Sequence, residues 1–512
     1  MKETGTPVDD LQEKSVKTSG NQNGGTTAVD LETNPSLKKD GKIRLWILLG
    51  INVGLLIALL TSTSALAAGA WAIAFMVALM LLGISVGFSL AIASLIALYH
   101  VSGSAAAVNV LSTAPFSASS NWSMSVLPMF ILMGFLLSQA GITQRVYKAT
   151  NQWFGWLPGG LAIGTTAAGA GLASVSGSSI GMTYALGRAG IPEMLKYGYD
   201  RRVAVGSVLS GGLGGQLIPP TIAMVVYAGI ASVPVGPQLL AGVIPGFAIG
   251  LTYMLLFLVL GLVVPKLVGR SKDRTSREVV TWKDRFQSLF GLWGLPLILL
   301  VLFGGLFTGY FTPTEAGAAA AFMAILLTLF YTRKNKPFKQ VGNALVTAAK
   351  STAGVFLILI GAELLTRVLA VTGIAGYATD MIMSFGLSRF WFLMALVVLY
   401  LFMGMFFDTI SMMLLTIPLL IPALAEYDIS LVWFGVFVVL MAEIGMITPP
   451  VGVLAYIVYN LTKRPAVNQG VKITLNDVFV SILWFLPFAF LFILLMIFWP
   501  EIATWLPSVS SA

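Results

Sequence analysis

Polar residues that could bind an ion interrupt two long apolar stretches of this sequence. The first group is Ser176-Gly177-Ser178-Ser179, and the second is Gly404-Met405-Phe406-Phe407-Asp408-Thr409. Hydroxyls, freed backbone carbonyls and a carboxylate are hard oxygen ligands, which suit Na⁺ but not a soft metal, and hydroxyls can also hydrogen-bond a bound carboxylate. Because an ionisable residue inside an apolar segment is usually functional, Asp408 is the first candidate for a cation ligand. The competing interpretations are close helix packing at the first group and a structural salt bridge at Asp408.

Two segments that contain glycine and proline should each break a helix. They are residues 211–221, Gly-Gly-Leu-Gly-Gly-Gln-Leu-Ile-Pro-Pro-Thr, and residues 443–450, Glu-Ile-Gly-Met-Ile-Thr-Pro-Pro. A proline removes an amide donor and displaces the carbonyl four residues before it. The freed carbonyls can coordinate a cation, and the positive end of the following half-helix can face an anion. A simple kink is the alternative interpretation.

The other ionisable residues are weaker candidates for a binding or catalytic site. The chain has no cysteine and one histidine, His100, which excludes thiolate catalysis and disulfides and makes a metal site of Cys or His ligands a poor interpretation. His100 ends an apolar segment and is predicted to be interfacial. Glu315 follows a Thr-Pro-Thr sequence, which predicts a charge in the first turn of a helix. Glu363 and Glu443 are further carboxylates in apolar segments and rank below Asp408. No Walker A motif is present, so we expect neither ATP hydrolysis nor a cofactor.

The composition indicates what kind of protein must position these residues. Of the 512 residues, 57% are hydrophobic and 10% are charged, whereas soluble domains carry about 25% charged residues. Soluble enzymes and disordered proteins are therefore excluded, and the near-continuous apolar runs predict a polytopic membrane protein built of helices. The net charge of +9 does not indicate nucleic-acid binding, since the basic residues lie between apolar runs and form no aromatic-rich patch.

The apolar runs divide the chain into five regions. A polar tail is predicted to be disordered and cytoplasmic, and an extra transmembrane helix follows it. Two larger regions each contain an interrupted apolar segment that is predicted to form a re-entrant helical hairpin, and a basic cytoplasmic loop separates them. The predicted regions are the tail 1–42, the extra helix 43–62, the first repeat 69–264 with hairpin 159–190, the loop 265–289, and the connecting helices and second repeat 290–507 with hairpin 376–424.

The two larger regions share landmarks in the same order. Gly141-Ile142 corresponds to Gly373-Ile374, 232 residues later (373 − 141), and Ile218-Pro219-Pro220 corresponds to Ile447-Thr448-Pro449-Pro450. Lys and Arg cluster in alternate loops, which by the positive-inside rule places the N-terminus in the cytoplasm and the C-terminus on the opposite side. The two regions then have opposite orientations. Inverted repeats with interrupted helices are typical of secondary transporters, which bind their substrates near the repeat interface.

Longer motifs make the chain similar to one transporter family over about residues 69–507. It resembles the large membrane subunit of tripartite ATP-independent periplasmic (TRAP) transporters. The motifs are Ser176-Gly177-Ser178-Ser179, Ile191-Pro192-Glu193-Met194, Gly198-Tyr199-Asp200, Leu217-Ile218-Pro219-Pro220-Thr221, Thr312-Pro313-Thr314-Glu315-Ala316, Gly404 to Asp408, Trp433-Phe434-Gly435-Val436, Glu443-Ile444-Gly445 and Thr448-Pro449-Pro450-Val451-Gly452.

The resemblance implies an elevator-type, Na⁺-coupled importer in the bacterial inner membrane, which would carry organic acids such as C4-dicarboxylates or sugar acids. Its partners would be a small four-helix membrane subunit and a periplasmic substrate-binding protein, and Na⁺ would be the coupling ion. The transport domain would hold both hairpins and both broken helices, and the remaining helices would form the scaffold. The cation ligands implied are Ser176, Gly177, Ser178, Ser179, Gly214, Pro219, Gly404, Asp408, Thr409, Gly445, Thr448 and Pro449, and the substrate ligands are Ser178, Thr221, Asp408 and Thr448.

Three alternatives remain at this point. A stand-alone Na⁺/anion symporter or exporter could share the fold with its inverted hairpins. An integral-membrane enzyme could use Asp408 and Glu443 as acid and base, although an enzyme has no need of two matched, opposed hairpins. A channel should show rings of charge, and none is visible. The sequence therefore favours a transporter that is not an enzyme.

Overall fold

The computed structural model describes residues 35–120, 122–269 and 280–510. Within these ranges the regular elements are helices, apart from one isolated bridge between Tyr199 and Val268. The prediction of an all-α protein is thus confirmed. Helix α1 is Pro35–Leu60, and it begins before the predicted residue 43. Proline is favoured at the first position of a helix, and lysines, which are good helix formers, follow it. The predicted tail up to residue 34 lies outside the described ranges.

The first half of the chain continues with nine helices in the described residues. The long helix α3 contains Gly103 at φ 81°, where its path is interrupted. The helices are α2 Ala65–Leu81, α3 Val86–Ser119, α4 Val126–Gln139, α5 Ile142–Phe154, α6 Gly160–Ser176, α7 Ser179–Lys196, α8 Arg201–Gly215, α9 Ile222–Ile230 and α10 Val235–Val263.

Twelve helices follow in the described part of the second half. The longest described helix is α14, which packs along α3, α4 and α2. The helices are α11 Trp282–Phe290, α12 Gly294–Phe307, α13 Pro313–Tyr331, α14 Pro337–Thr372, α15 Ile374–Ser384, α16 Arg389–Gly404, α17 Thr409–Glu426, α18 Leu431–Ile447, α19 Val453–Thr462, α20 Pro465–Asn468, α21 Leu475–Phe498 and α22 Glu501–Ser510.

Six of the described helices are long and apolar enough to cross a membrane, namely α3, α10, α13, α14, α17 and α21. Two bent pairs raise the number of candidate spans to eight: α4 with α5, at 68°, and α11 with α12, at 51°. The fold is therefore that of a multi-pass membrane protein.

The landmarks shared by the two halves occupy corresponding places. Gly141 and Gly373 both adopt a left-handed backbone (φ 73° and 67°) immediately before α5 and α15, a conformation that glycine adopts without steric cost. Each half then contains two helix pairs, α6–α7 and α8–α9 in the first and α16–α17 and α18–α19 in the second. In the second half, the pair α16–α17 begins at Arg389, and α15 is a separate helix. The hairpin predicted over 376–424 is therefore the shorter unit 389–426.

The helices α8 and α18 lie at the centre of the packing. Every residue from Val203 to Gly215 and from Trp433 to Ile447 is buried. Glycines allow neighbouring helices to approach them closely: a Cβ added at Gly445 of α18 would lie 2.6 Å from Cα of Gly404 in α16. In the first half, a Cβ at Gly169 of α6 would lie 2.7 Å from Cα of Gly211 in α8. These contacts hold the middle of α6 and the end of α16 against the two buried helices.

Candidate functional site

The first helix break joins α6 to α7. Gly177 ends α6 in a left-handed conformation (φ 59°), and Ser178 is extended at the N-cap of α7. The Ser178 hydroxyl oxygen accepts a hydrogen bond from the N–H of Gly181 at 3.2 Å, which is the usual way for serine to cap a helix. The small residues that predicted this break from sequence therefore form a turn and a cap.

The second break joins α16 to α17, and Asp408 is the N-cap of α17. Its carboxylate accepts hydrogen bonds from the N–H groups of Ile410 (3.2 Å) and Ser411 (3.5 Å) and from the Ser411 hydroxyl. No Lys or Arg of the described ranges forms an ion pair with Asp408. The competing prediction of a salt bridge at this residue is therefore not realised there, and helix capping is the structural role of the carboxylate.

The two breaks are equivalent position by position. Ser178 and Asp408 are both N-caps, and Ser179 and Thr409 are the first residues of the helices that follow. The spacing is 230 residues in both cases (408 − 178 and 409 − 179), the same as between the Pro-Pro segments. A hydroxyl-bearing residue thus begins the second helix of each pair.

Glu443 connects the two breaks. Its side chain belongs to the buried helix α18, and the residue is 2% exposed. One carboxylate oxygen, Oε1, accepts hydrogen bonds from the Ser179 hydroxyl at 2.7 Å and from the Thr409 hydroxyl at 3.2 Å. A buried carboxylate requires such donors, because an unpaired one costs several kcal/mol. The sequence ranks Glu443 below Asp408 as a site residue. The signal in the sequence that favours a higher rank for Glu443 is the matched pair of hydroxyl residues, Ser179 and Thr409, in the two breaks.

Gln216 supports the first break in a similar way. It follows the last residue of α8 and is 2% exposed. With its amide oxygen turned toward the donors, this oxygen accepts from the N–H of Ser179 (2.8 Å) and from the N–H of Ser178 (3.3 Å). It thereby satisfies backbone donors that the first turn of a helix leaves without a partner. The sequence patterns do not predict this role of Gln216.

A cavity of about 150 Å³ lies between the two breaks. The first turns of α7 and α17 face it, so two positive helix ends meet at one small volume. Its described lining includes two carboxylates and no Lys or Arg, an arrangement that can hold a cation, or an anion together with cations. The lining residues are Gly177, Ser178, Ser179, Ile180, Gln216, Ile222, Ala223, Asp408, Thr409, Ile410, Glu443 and Met446. A larger apolar cavity of about 310 Å³ between α5 and α11 contains none of the predicted site residues.

The structure brings together only part of the predicted site. Gly177, Ser178, Ser179, Asp408 and Thr409 line the cavity, whereas seven predicted residues do not: Gly214, Pro219, Thr221, Gly404, Gly445, Thr448 and Pro449. The side chain of Ser176 lies outside the described part of the chain.

Gly404 ends α16, and the other six residues outside the cavity lie at or just beyond the ends of the buried helices α8 and α18. The predicted interruptions are present, since α8 stops at Gly215 and α18 at Ile447. Thr221 is the N-cap of α9, and its buried hydroxyl oxygen has no hydrogen-bond partner among the described residues. Thr448 donates its hydroxyl proton to the Ile444 carbonyl at 2.6 Å. Both Pro-Pro peptide bonds, 219–220 and 449–450, are cis.

Two other carboxylates have structural partners elsewhere. Glu315 forms a capping box with Thr312, in which the Thr312 N–H donates to the carboxylate at 2.8 Å and the Glu315 N–H donates to the Thr312 hydroxyl at 3.3 Å. The prediction of a helix N-terminal charge is confirmed. Glu363 forms an ion pair with Arg367 one turn along α14, at 3.1 Å, and it does not line the cavity.

Comparison with known proteins agrees with this architecture. Residues 73–502 match the family described as the tripartite ATP-independent periplasmic transporter, DctM component. The chain is 31% identical over 409 residues to the C4-dicarboxylate TRAP transporter large permease protein DctM of Vibrio cholerae, a match that covers 76% of this chain and 86% of that protein. It is 30% identical over 386 residues to the sialic acid TRAP transporter permease protein SiaT of Haemophilus influenzae, covering 75% and 59% of the two chains.

A solved structure shares the fold. The crystal structure of the Alcanivorax borkumensis YdaH transporter superposes with a TM-score of 0.57 at 14% identity, and the match covers 78% of this chain and 90% of that one. At this identity the similarity concerns the fold alone.

Proposed function

Because this chain belongs to the DctM component family of tripartite ATP-independent periplasmic transporters, we propose that it is the permease subunit of a Na⁺-coupled importer that depends on a binding protein and carries organic acids. Family membership makes the chain a bacterial multi-pass transporter subunit, which is not an enzyme class. The remaining parts of the proposal are the coupling ion, the substrate class, the partners and the elevator mechanism.

The charge of the cavity is the observation that carries the proposal. Asp408 and Glu443 line it, and no Lys or Arg belongs to its described lining. An organic anion that enters this volume meets like charge, which is costly at short range in a medium of low polarity. Cations bound at the same time would remove that repulsion. The hydroxyls and carboxylates of the cavity are oxygen ligands that suit Na⁺, so the substrate would bind together with Na⁺.

The helix termini support a carboxylate substrate. The first turns of α7 and α17 face the cavity, and broken helices in secondary transporters commonly direct their positive ends at anionic substrate groups. Two relatives carry names that specify a C4-dicarboxylate and a sialic acid, and both substrates bear carboxylates. We therefore take succinate and N-acetylneuraminate as the first compounds to test.

Helix packing supports a division into a moving and a fixed part. Around the site, the helices α6, α7, α9, α16, α17 and α19 pack on the buried helices α8 and α18. A second group, α2, α3, α4 and α13, packs against α14. In an elevator mechanism the first group would carry the cavity across the membrane and the second would form the scaffold. The small four-helix membrane subunit would pack on that scaffold. The periplasmic binding protein would deliver the substrate, with the N-terminus in the cytoplasm and the C-terminus in the periplasm.

Reconstitution tests the proposal. The chain is placed in proteoliposomes with its small membrane subunit and binding protein, and uptake of radiolabelled succinate and N-acetylneuraminate is followed under an inward Na⁺ gradient. We expect uptake of at least one acid, which stops when K⁺ replaces Na⁺ or when the binding protein is omitted. Uptake by the chain alone would favour the stand-alone symporter instead, and uptake indifferent to Na⁺ would refute the coupling.

A further inference from the structure

We propose that Tyr184, Arg188 and Arg464 form a second anion site, which lies on the inward side of the cavity and receives the organic acid as it leaves. This inference rests on the proposed function for the identity of the anion. The site itself is argued from side chains that lie outside the cavity.

An exposed face of α7 leads from the cavity to this cluster. Ile180 lines the cavity and is 46% exposed, Tyr184 is 37% exposed, and Arg188 is exposed as well. Residues four positions apart lie on the same face of a helix. With a rise of about 1.5 Å per residue, Tyr184 lies about 6 Å and Arg188 about 12 Å beyond Ile180 along the axis. The cluster is thus one to two turns from the cavity on a continuous exposed surface.

Two guanidinium groups meet at one tyrosine. Arg464, which follows α19, donates a hydrogen bond from Nη1 to the Tyr184 hydroxyl at 2.9 Å, and its Cζ lies 5.7 Å from the centroid of the Tyr184 ring. Cζ of Arg188 lies 5.8 Å from the same centroid. The tyrosine therefore holds two positive side chains from distant parts of the sequence at one place.

Neither arginine has a carboxylate partner among the described residues. Two arginines at the start of α8 differ in this respect, since Arg201 and Arg202 both pair with Asp477, at 3.0 and 3.4 Å. A guanidinium group has five donors, and its planar fork fits a carboxylate. Two like charges on one ring repel each other, and an anion between them would turn this repulsion into attraction. Arg188 and Arg464 therefore have donors and charge available for an organic acid.

The position of the cluster along α7 indicates that it lies on the cytoplasmic side of the cavity. The helix starts at the cavity and ends at Lys196, in a loop that the positive-inside rule assigns to the cytoplasm, and Arg464 lies in another such loop. The cavity has carboxylates in its described lining, whereas this cluster has only positive charge. An anion released from the cavity would be attracted along the exposed face of α7 toward the cytoplasm.

A single cysteine beside Tyr184 measures whether the cluster attracts anions. The chain has no native cysteine, and Ala185 is partly exposed, so A185C provides one reactive thiol. Its reaction rate is measured with a negatively charged and with a positively charged methanethiosulfonate reagent, MTSES and MTSET, on the assembled complex in proteoliposomes. We expect MTSES to react faster relative to MTSET than it does with a free thiol. A thiol that does not react with MTSES would overturn the proposal, because the face would then be buried in lipid or protein.

Charge substitutions in this background identify the source of the attraction. We expect R188Q and R464Q each to lower the ratio of the MTSES rate to the MTSET rate about threefold, since each removes one charge at short range in water. The matched control is K463Q, which removes the positive charge of the preceding residue. The Nζ of Lys463 lies 4.5 Å from the ring centroid of Tyr459, so this charge contacts a different tyrosine from Tyr184. An equal effect of K463Q would show general surface charge and overturn the assignment.

Uptake measurements then distinguish a failure of the anion-site proposal from a failure of the proposed transport function. In the reconstituted complex without added cysteine, R464Q should lower the maximal uptake rate of the transported acid at least about threefold at unchanged external half-saturation, while K463Q stays near wild type. Wild-type rates in R464Q, with the expected reagent ratios, would refute a role in release. If the unaltered complex transports neither succinate nor N-acetylneuraminate, the proposed function fails, and the reagent ratios still decide whether the cluster attracts anions.

Discussion

Replacing Glu443 by glutamine tests the central contact of the site. The glutamine side chain is the same size and keeps one carbonyl oxygen that can accept from the Ser179 and Thr409 hydroxyls, which in the wild type donate to Oε1 of Glu443. The two hydrogen bonds become neutral and lose about 1 kcal/mol each. The loss is offset because the substitution also removes a buried charge. We therefore expect E443Q to fold, with a melting temperature in detergent close to that of the wild type.

The expected loss lies in cation binding, and its size follows from the dimensions of the cavity. A sphere of the observed 150 Å³ has a diameter of about 7 Å, so a bound cation lies within about that distance of the lining carboxylate. At an effective dielectric constant of about 20, two unit charges at this separation interact by about 2.4 kcal/mol, which corresponds to a roughly 60-fold change in affinity. Neutralising Glu443 should therefore raise the half-saturating Na⁺ concentration by a factor of tens.

Uptake by the reconstituted complex, titrated with Na⁺ at a fixed acid concentration, measures this shift. The matched control is E363Q, which makes the same chemical change at a carboxylate that pairs with Arg367 on α14 and does not line the cavity. A partly exposed ion pair of this kind contributes about 1 kcal/mol or less, so its Na⁺ titration should match the wild type. A folded E443Q whose titration shifts less than about threefold would refute the reasoning, because the carboxylate would then lie outside the field of the coupling ion.

Three further predictions concern capping, packing and topology. D408N should weaken Na⁺-dependent uptake by a factor on the order of 10 or more while the protein stays folded, because asparagine also caps helices well; unchanged Na⁺ dependence would remove Asp408 from the cation site. G445A should destabilise the protein by about 1–3 kcal/mol, since its Cβ would lie 2.6 Å from the backbone of α16, and a lowered melting temperature checks this. G376A, which has no heavy atom within 4 Å of the added Cβ, is the control and should melt at or slightly above the wild-type temperature, since alanine favours a helix over glycine. Single cysteines in place of Lys272 and Arg389 should react with impermeant reagents from opposite sides of the membrane, and reaction from one side would contradict the predicted topology.

Much of the fold could be predicted because its causes are local. The composition predicted a helical membrane protein, and the Gly-Ser run at 176–179 predicted the break that Gly177 and Ser178 form. The Pro-Pro segments predicted the ends of α8 and α18 in the same way. Helix starts were harder to predict. Helix α15 separates from α16 at Gly386, where the backbone has φ 60°, although the apolar pattern of residues 376–424 reads as one hairpin.

The sequence by itself determined the kind of protein, the order of its breaks and the correspondence of its halves. The length of an apolar segment determines whether it can span a membrane, and glycine and proline change the backbone at their own positions. Such local effects can be predicted from the linear sequence. Only the tertiary structure decided which side chains meet. Glu443 accepts hydrogen bonds from residues 264 and 34 positions away, and Arg464 meets Tyr184 across 280 positions. Contacts of this range depend on how closely the helices pack, which in turn depends on glycines such as Gly404 and Gly445. The pattern of residues along one helix does not predict that packing.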